Sequence, residues 1–147
     1  MTLTHWTRLT VAAALALGCG AVAADDDGRV CTAGTLSGLY VFSATGWSAA
    51  TGTWQPKAIV EYMRFNGDGS LTVLAATVAN LAGNGLPFEA QPGGTGTYQL
   101  EPGCTGRLDF TPGPSFKVVV APKGDELWMI QTNPNNVLQG STIRLAK

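Results

Sequence analysis

Histidine is nearly absent from this 147-residue sequence, because the single one is His5, close to the N-terminus. If the segment that carries it is removed on export, as argued below, no imidazole remains. Catalysis of the Ser-His-Asp or Cys-His type and His-ligated metal sites are then excluded. The chain also has neither a Gly-x-Ser-x-Gly elbow nor a Ser-x-x-Lys motif, which argues against a hydrolase. We expect no metal and no cofactor.

Charge is also scarce, since only 13% of the residues are charged and the formal net charge is -1. The 9 Lys and Arg residues are scattered along the chain, so no basic field of the kind that attracts nucleic acid is present. The length accommodates one small domain at most. We therefore expect no nucleic-acid partner.

The first 24 residues have the pattern of a secretory signal peptide. Arg8 precedes an apolar run, Leu9 to Leu17, and the small residues 21–24 offer a cleavage site before Asp25. The run is too short for a stable membrane span, which needs roughly 20 residues. A lipoprotein site with lipid on Cys19 is the less favoured alternative. The sequence thus predicts an exported protein, either periplasmic or secreted.

Two cysteines, Cys31 and Cys104, remain after such cleavage, and an even pair in an exported chain favours a disulfide. A reactive or metal-binding thiol pair is the alternative, but C-x-x-C spacing is missing. We divide the remaining chain into a flexible N-terminal segment, residues 25–35, and one β-barrel domain, residues 36–147.

The mature part of the chain shows short alternating runs rich in Val, Thr and aromatic residues, and no convincing helical stripe. Eight strands are predicted: Leu36 to Ser43, Ala58 to Asn66, Ser70 to Ala79, Thr95 to Glu101, Thr105 to Thr111, Ser115 to Ala121, Glu126 to Asn133 and Leu138 to Leu145. Two longer connections, 44–57 and 80–94, are predicted to be loops that could bind a partner or cover a site.

Turn sequences such as Asn66-Gly67-Asp68-Gly69 join most of these runs and favour antiparallel neighbours. Eight such strands form either a sandwich or an up-and-down barrel. The scarcity of long crossovers favours the barrel, which leaves no free edge. An eight-stranded barrel is just wide enough for side chains or one small ligand.

Four segments occur in an order that resembles a known group of proteins: 38–42 (GLYVF), 65–71 (FNGDGSL), 94–100 (GTGTYQL) and 106–110 (GRLDF). The set resembles exported bacterial proteins related in fold to the allene oxide cyclase and dirigent barrels, of calycin-like architecture. The resemblance covers about residues 34–146. It implies an eight-stranded antiparallel barrel that accepts an apolar small molecule, often in an oligomer. It carries over no catalytic residue.

Glu61 is the candidate catalytic residue, because it lies in the middle of an alternating strand. Alternation places it on one face with Ile59, Met63 and Phe65. If that face points inward, desolvation raises the pKa of the carboxyl toward the range useful for a general acid or base. The alternative is that Glu61 faces solvent or pairs with a neighbouring strand, for instance with Arg107 or Lys117.

Several apolar side chains are candidate ligand contacts. Tyr40, Phe42 and Met63 lie at strand positions predicted to face the core, whereas Trp47 and Trp54 lie on the first predicted loop. The Trp pair could form a lid, a plug or an assembly surface. The sequence leaves open which face of its strand Trp128 occupies. The apolar run Val118 to Val120 leaves neither face of its strand polar, which indicates that the outer face is covered. A subunit interface, lipid or a folded-back loop would cover it, and the interface is favoured.

Three functions are consistent with these patterns. The favoured one is a barrel that binds a small apolar or amphipathic ligand in its interior or at its mouth. The second is a cofactor-free isomerase or cyclase that uses Glu61, with Tyr62 or Tyr40 as a partner. The third is a structural or assembly protein of the cell envelope with a filled barrel, plausibly a homo-oligomer.

Overall fold

The computed structural model describes residues 30–49, 52–80, 87–90 and 93–147. One short 3-10 turn, Ala33–Thr35, precedes the strands. The strands are β1 (Ser37–Ser48), β2 (Gln55–Asn66), β3 (Ser70–Asn80), β4 (Pro87–Ala90), β5 (Thr95–Leu100), β6 (Thr105–Thr111), β7 (Ser115–Val120), β8 (Glu126–Gln131) and β9 (Asn136–Ala146).

These strands close into an all-antiparallel barrel. The order around the ring is β2, β1, β9, β8, β7, β6, β5 and β3, and pairing between β2 and β3 closes it. The short β4 pairs with β3 over Ala76 to Ala79, whereas β5 pairs with β3 over Ser70 to Thr72. Because β4 and β5 follow the same edge of β3, they share one of eight positions. The predicted eight-stranded barrel is therefore confirmed, and the sandwich is excluded.

The prediction of a loop over 44–57 is wrong for most of its length. β1 continues to Ser48 and β2 begins at Gln55, so that the two strands pair along twelve residues each. The small and polar residues of this segment carry little strand signal, but hydrogen bonding to β9 as well as within the hairpin sustains them as strand. The second predicted loop, 80–94, likewise contains β4.

Side chains alternate between the lumen and the outside of the barrel, as expected for strands. In β2, Ile59, Met63 and Phe65 are buried, whereas Val60 and Arg64 are exposed. The core includes inward side chains from all eight positions of the ring. They are Tyr40, Phe42, Ile59, Met63, Phe65, Leu71, Tyr98, Leu108, Phe116, Val118, Val120, Leu127, Met129 and Leu138. The face that carries Glu61 is thus the inner face.

The two ends of the barrel differ, and we name them by what closes them. The lower end carries the turns at 66–70, 100–105 and 120–126, and the N-terminal segment 30–36 packs against it. The upper end carries the β1–β2 and β8–β9 connections. At this upper end β9 comes very close to β1, since a Cβ on Gly140 would lie 2.6 Å from the Cβ of Ala44.

The predicted disulfide is confirmed. Cys31 and Cys104 are bonded, with Cα atoms 5.0 Å apart and a sequence separation of 73. In the chain-entropy description, a loop of this length stabilises the fold by roughly 4 kcal/mol. The bond ties segment 30–36 to the turn between β5 and β6.

The N-terminal predictions fall mostly beyond what can be described. The predicted signal peptide, residues 1–24 with Cys19, and the acidic start Asp25 to Asp27 lie outside the described residues. In the part of the chain that the structure describes, no helix is long and apolar enough to cross a bilayer.

Candidate functional site

Tyr98 and the N-terminal segment form the first hydrogen-bonded group of the lower end. The Tyr98 hydroxyl lies 2.9 Å from the carbonyl oxygens of both Ala33 and Leu36, and its proton is shared between them. The Leu36 side chain is itself almost completely buried. Polar and apolar contacts together therefore hold the segment against the barrel.

Tyr40, one of the candidate ligand contacts, is part of the same closure. Its hydroxyl donates to the carbonyl oxygen of Gly124 at 2.6 Å and accepts from Arg144 Nε at 2.8 Å. Arg144 Nη2 also donates to the carbonyl oxygen of Thr35 at 2.9 Å. We call these hydrogen bonds of Tyr40, Tyr98 and Arg144 the lower network, and each of its polar groups has a protein partner. The geometry therefore supports a structural role for Tyr40.

Aromatic rings fill much of the lumen in two groups. Phe65 contacts Tyr40 and Tyr98 edge to face, with centroid distances of 4.9 and 5.1 Å. Higher in the barrel, Phe116 contacts Phe42 at 5.8 Å in the same geometry. Because β1 and β7 are not neighbours in the ring, the contact between Phe42 and Phe116 reaches across the lumen.

Glu61 lies on the inner face of β2, at the middle of the strand and above the lower network. We use the term upper half for the part of the lumen from this level to the upper mouth. The cross-strand partners of Glu61 are Phe42 on β1 and Ala76 on β3, and both are buried. The expected alternative pairings do not occur: Arg107 pairs with Asp109 on the outer face, and Lys117 is exposed. The carboxyl atom Oε2 is buried and has no hydrogen-bond partner among the described residues.

Burial dominates the electrostatics of this carboxyl. Desolvation raises the pKa of Glu61 from an ordinary value of 4.5 to about 7, and the charge of Lys57 opposes the shift. Lys57 lies on the same inner face of β2, four residues nearer the upper mouth and only partly buried. A carboxyl with this pKa can donate or accept a proton near neutral pH.

Two further buried polar atoms without a partner among the described residues lie on inward-facing positions, and neither was a sequence candidate. Thr142 is completely buried, and Oγ1 has no partner; Oε1 of Gln131 is likewise buried and unpaired. Thr142 is the other cross-strand partner of Phe42, so that Phe42 lies between Glu61 and Thr142. Strand alternation in 138–144 was the one signal that could have indicated its inward position.

Small residues surround this polar group on the inner face. Ala44, Gly140 and Ala76 come from three different strands, and the rings of Phe42 and Phe116 lie in the same half of the lumen. In small barrels, alternation of small and large inward side chains determines how much of the lumen is filled. The upper half therefore combines small side chains with unpaired polar atoms.

The three candidate tryptophans do not line the lumen. Trp47 lies on the outward face of β1 beside Val137, and Trp54 immediately precedes β2; both are 52% exposed. Trp128 is 47% exposed on the outer face of β8, whereas Leu127 and Met129 point inward. The structure thus brings Phe42 and Met63 to the interior near Glu61 but leaves the tryptophans outside.

An outer groove of about 560 Å³ runs over β7, β8, β9 and β1. Val119, Trp128 and Ile130 form its apolar side, and Val119 is the direct cross-strand partner of Trp128. Ser43 and Ser141 form part of the floor, and Lys117 lies at its margin. Ala44 and Gly140 are among the residues that line this groove, whereas Glu61, Gln131 and Thr142 are not.

Comparison with known proteins adds one distant structural similarity. No protein-family model matches the chain, and no curated protein matches it. Among solved structures, a de novo designed fluorescence-activating β-barrel is similar, with a TM-score of 0.43 and 13% identity. The match covers 77% of this chain and 96% of the designed one.

Proposed function

We propose that this protein is an exported barrel that binds a small amphipathic molecule in the upper half of its interior, with Glu61 as the polar anchor. The observation that carries the proposal is the buried carboxyl oxygen of Glu61, which has no hydrogen-bond partner among the described residues. Buried polar groups in proteins are nearly always hydrogen-bonded, because an unmade bond costs about 1–3 kcal/mol. A ligand that donates a hydrogen bond to this oxygen would remove that cost.

The surrounding residues fit an amphipathic ligand. Phe42 and Met63 offer apolar contacts, and Ala44 and Ala76 keep the neighbouring positions small. Ligand sites typically combine an apolar lining with a few placed polar groups. The disulfide is in keeping with an oxidising compartment, and the signal-like residues 1–24 support export. Intact-mass measurement of protein from its host tests export, since cleavage before Asp25 is expected.

Binding can be measured with 1-(phenylamino)naphthalene, a neutral apolar dye whose emission rises when it leaves water. We expect saturable binding by the native chain. Ala76→Leu fills the space beside Glu61 and should weaken binding about tenfold or more, equivalent to about 1.4 kcal/mol. Ala75→Leu makes the same change at the neighbouring exposed position and should change affinity less than about twofold.

Thermal unfolding of each variant separates lost binding from lost structure. If Ala76→Leu is unfolded, Ala76→Val replaces it as the test, because it enlarges the same side chain by less and should weaken binding in the same direction. Equal effects of Ala76→Leu and Ala75→Leu, or no dye binding by the native chain, would overturn the proposal.

A second candidate function is a cofactor-free isomerase or cyclase, favoured by the pKa of about 7 of the Glu61 carboxyl. The resemblance to the allene oxide cyclase and dirigent barrels points the same way. Of the phenols considered as partners, Tyr62 lies on the outer face and Tyr40 belongs to the lower network. Glu61 would act alone in proton transfer.

Native mass spectrometry of protein from its host would identify a retained molecule. Glu61→Gln should abolish turnover of this molecule while its binding persists.

A third candidate is assembly through the outer face, favoured by the exposed apolar side chains of Val119, Trp128 and Ile130. Contiguous apolar surface of this kind is typical of interaction sites. The same native mass spectra would give the subunit number, and Trp128→Lys should dissociate any oligomer. A native oligomer that Trp128→Lys leaves intact would contradict this role for the groove.

A further inference from the structure

The unpaired polar atoms of the upper half share one chemical property, which is that they accept hydrogen bonds. The three atoms are Glu61 Oε2, Gln131 Oε1 and Thr142 Oγ1, and all are buried. The amide nitrogen of Gln131 already donates to Asn133 Oδ1 at 3.2 Å, so the free atom of this side chain is its oxygen. A carboxyl oxygen and an amide oxygen are acceptors, and a Thr hydroxyl can act as one.

Two of these acceptors flank one aromatic residue on the inner face of the barrel. Glu61 and Thr142 are the cross-strand partners of Phe42, on β2 and β9 respectively. Gln131 is the cross-strand partner of Phe116, whose ring contacts Phe42. The register therefore places Glu61 and Thr142 on either side of Phe42. Gln131 is farther away, because it lies four residues along β8 from Leu127, the cross-strand partner of Thr142.

Two cationic side chains on the inner face, Arg144 and Lys57, do not bond to these acceptors. Arg144 bonds to other groups, and Lys57 lies nearer the upper mouth. Arg144 is bonded to Tyr40 and to the carbonyl oxygen of Thr35 at the lower end. Lys57 lies on the same face as Glu61, and Ile59 separates the two along the strand. Among the described residues, no hydrogen bond or salt bridge joins Lys57 to Glu61. Within residues 30–49, 52–80, 87–90 and 93–147, these acceptors thus have no protein donor.

We propose that the ligand is a small apolar molecule whose headgroup donates hydrogen bonds, best of all a primary amine, held by Glu61 and Thr142. This inference rests on the proposed ligand-binding function and names the chemistry of its ligand. An ammonium group carries three donors and a charge opposite to that of an ionised carboxylate. Aromatic faces beside the acceptors also favour a cation over an anion.

Three naphthalene derivatives that differ in one headgroup test the inference directly. They are 1-naphthylmethylamine, 1-naphthalenemethanol and 1-naphthoic acid, and each is titrated calorimetrically at pH 7.5 into the full chain. We expect the amine to bind most tightly, the alcohol next, and the acid about tenfold or more weaker than the amine. The shared ring system keeps the apolar contribution constant, so differences report the headgroup.

Variants identify which residues produce this order. Glu61→Gln should bring the affinity of the amine down to that of the alcohol, while affinity for the alcohol changes less than about threefold. Lys57→Gln is the matched control on the same strand face, and it should leave the order of the three compounds unchanged. Thermal unfolding at the same pH establishes that both variants are folded.

The outcomes separate the two proposals. If the acid binds most tightly and Lys57→Gln abolishes that preference, the interior site stands but the inference about its ligand is wrong. If the three compounds bind equally, the acceptors do not select the headgroup, and the inference is again wrong. If neither these compounds nor 1-(phenylamino)naphthalene binds, the proposed function itself fails.

Discussion

The lower and upper halves of this barrel differ in whether their buried polar groups have hydrogen-bond partners. In the lower half, the hydroxyls of Tyr40 and Tyr98 and the guanidinium of Arg144 all have protein partners at 2.6–2.9 Å. In the upper half, Glu61 and Thr142 each bury an atom that has none among the described residues. The same barrel therefore has a hydrogen-bonded network at its lower end and unpaired buried polar atoms above it.

This difference separates stability from binding within one fold. A buried group with its partner contributes modestly to stability, whereas a buried group without one is destabilising. The lower half also contains the disulfide and the docked segment 30–36. We infer that the lower end stabilises the barrel, and that the upper half retains polar groups that weaken the unliganded protein because a ligand needs them.

The largest expected effect concerns the disulfide. Replacing both Cys31 and Cys104 with Ala should lower the free energy of unfolding by roughly 4 kcal/mol, because a loop of 73 residues is no longer closed in the unfolded chain. Urea denaturation of the oxidised native chain and the double variant measures the difference. The native chain treated with a phosphine reductant is the control and should match the variant. A loss below about 1 kcal/mol would contradict the stabilising role of the lower end.

The next largest effect is a pH dependence of the stability, which arises from Glu61 in the upper half. The folded protein binds the proton of Glu61 more tightly than the unfolded chain does, because burial raises the pKa of the carboxyl from 4.5 to about 7. The unfolded state therefore loses this proton first, and stability should fall as the pH rises from 4.5 to 7. The total loss is about 3 kcal/mol, and it is complete above pH 8.

Glu61→Gln should remove this slope, so that the variant is more stable than the native chain at pH 8 and about equal to it at pH 4.5. Urea denaturation at several pH values measures the effect. Hydrogen bonds from Ser70 and from Arg107 lower the pKa values of Asp68 and Asp109, respectively, and these groups act in the opposite direction and at lower pH. Glu101→Gln, which removes an exposed carboxylate, is the control. Parallel curves for the native chain and Glu61→Gln would contradict the burial of the charge.

A smaller effect is expected at Tyr98. Tyr98→Phe removes the donor to the carbonyl oxygen of Leu36, which should cost about 1–3 kcal/mol of unfolding free energy. The carbonyl oxygen of Ala33 keeps its hydrogen bond from the backbone N–H of Leu36. Tyr62→Phe removes a hydroxyl from the outer face and is the matched control. Both are measured by thermal unfolding. Equal stability of the two variants would show that the satisfied lower network contributes nothing.

Local signals in the sequence predicted much of the fold. The turn 66–69 needs residues that tolerate positive φ, and Gly67 and Gly69 have φ of 82° and 96°. Alternation in β2 correctly grouped Glu61 with Ile59 and Met63, because nothing interrupts the strand. Only the closure of the ring could decide that this face is the inner one.

Other features depend on packing that periodicity does not record. Both faces of β8 are apolar, so the sequence could not choose between Trp128 and its neighbours, and the lumen accepts the smaller Leu127 and Met129. In β3, a shift of register near Leu74 changes whether odd-numbered or even-numbered residues face inward. Thr142 looks ordinary in sequence, and its significance comes only from complete burial without a partner.

Thr142→Val gives the smallest expected change in stability and the sharpest contrast with Tyr98→Phe. Both substitutions remove one buried hydroxyl, but the Thr142 hydroxyl has no partner among the described residues. The isosteric valine should therefore leave stability unchanged or raise it by up to about 1 kcal/mol, since no bond is lost and a desolvated group disappears. Affinity for 1-naphthylmethylamine should fall about threefold over the same change. Thr77→Val on the outer face of β3 controls for the gain in β propensity. Destabilisation of Thr142→Val by as much as Tyr98→Phe would mean that both halves satisfy their polar groups, and the division between a stabilising end and a binding end would be wrong.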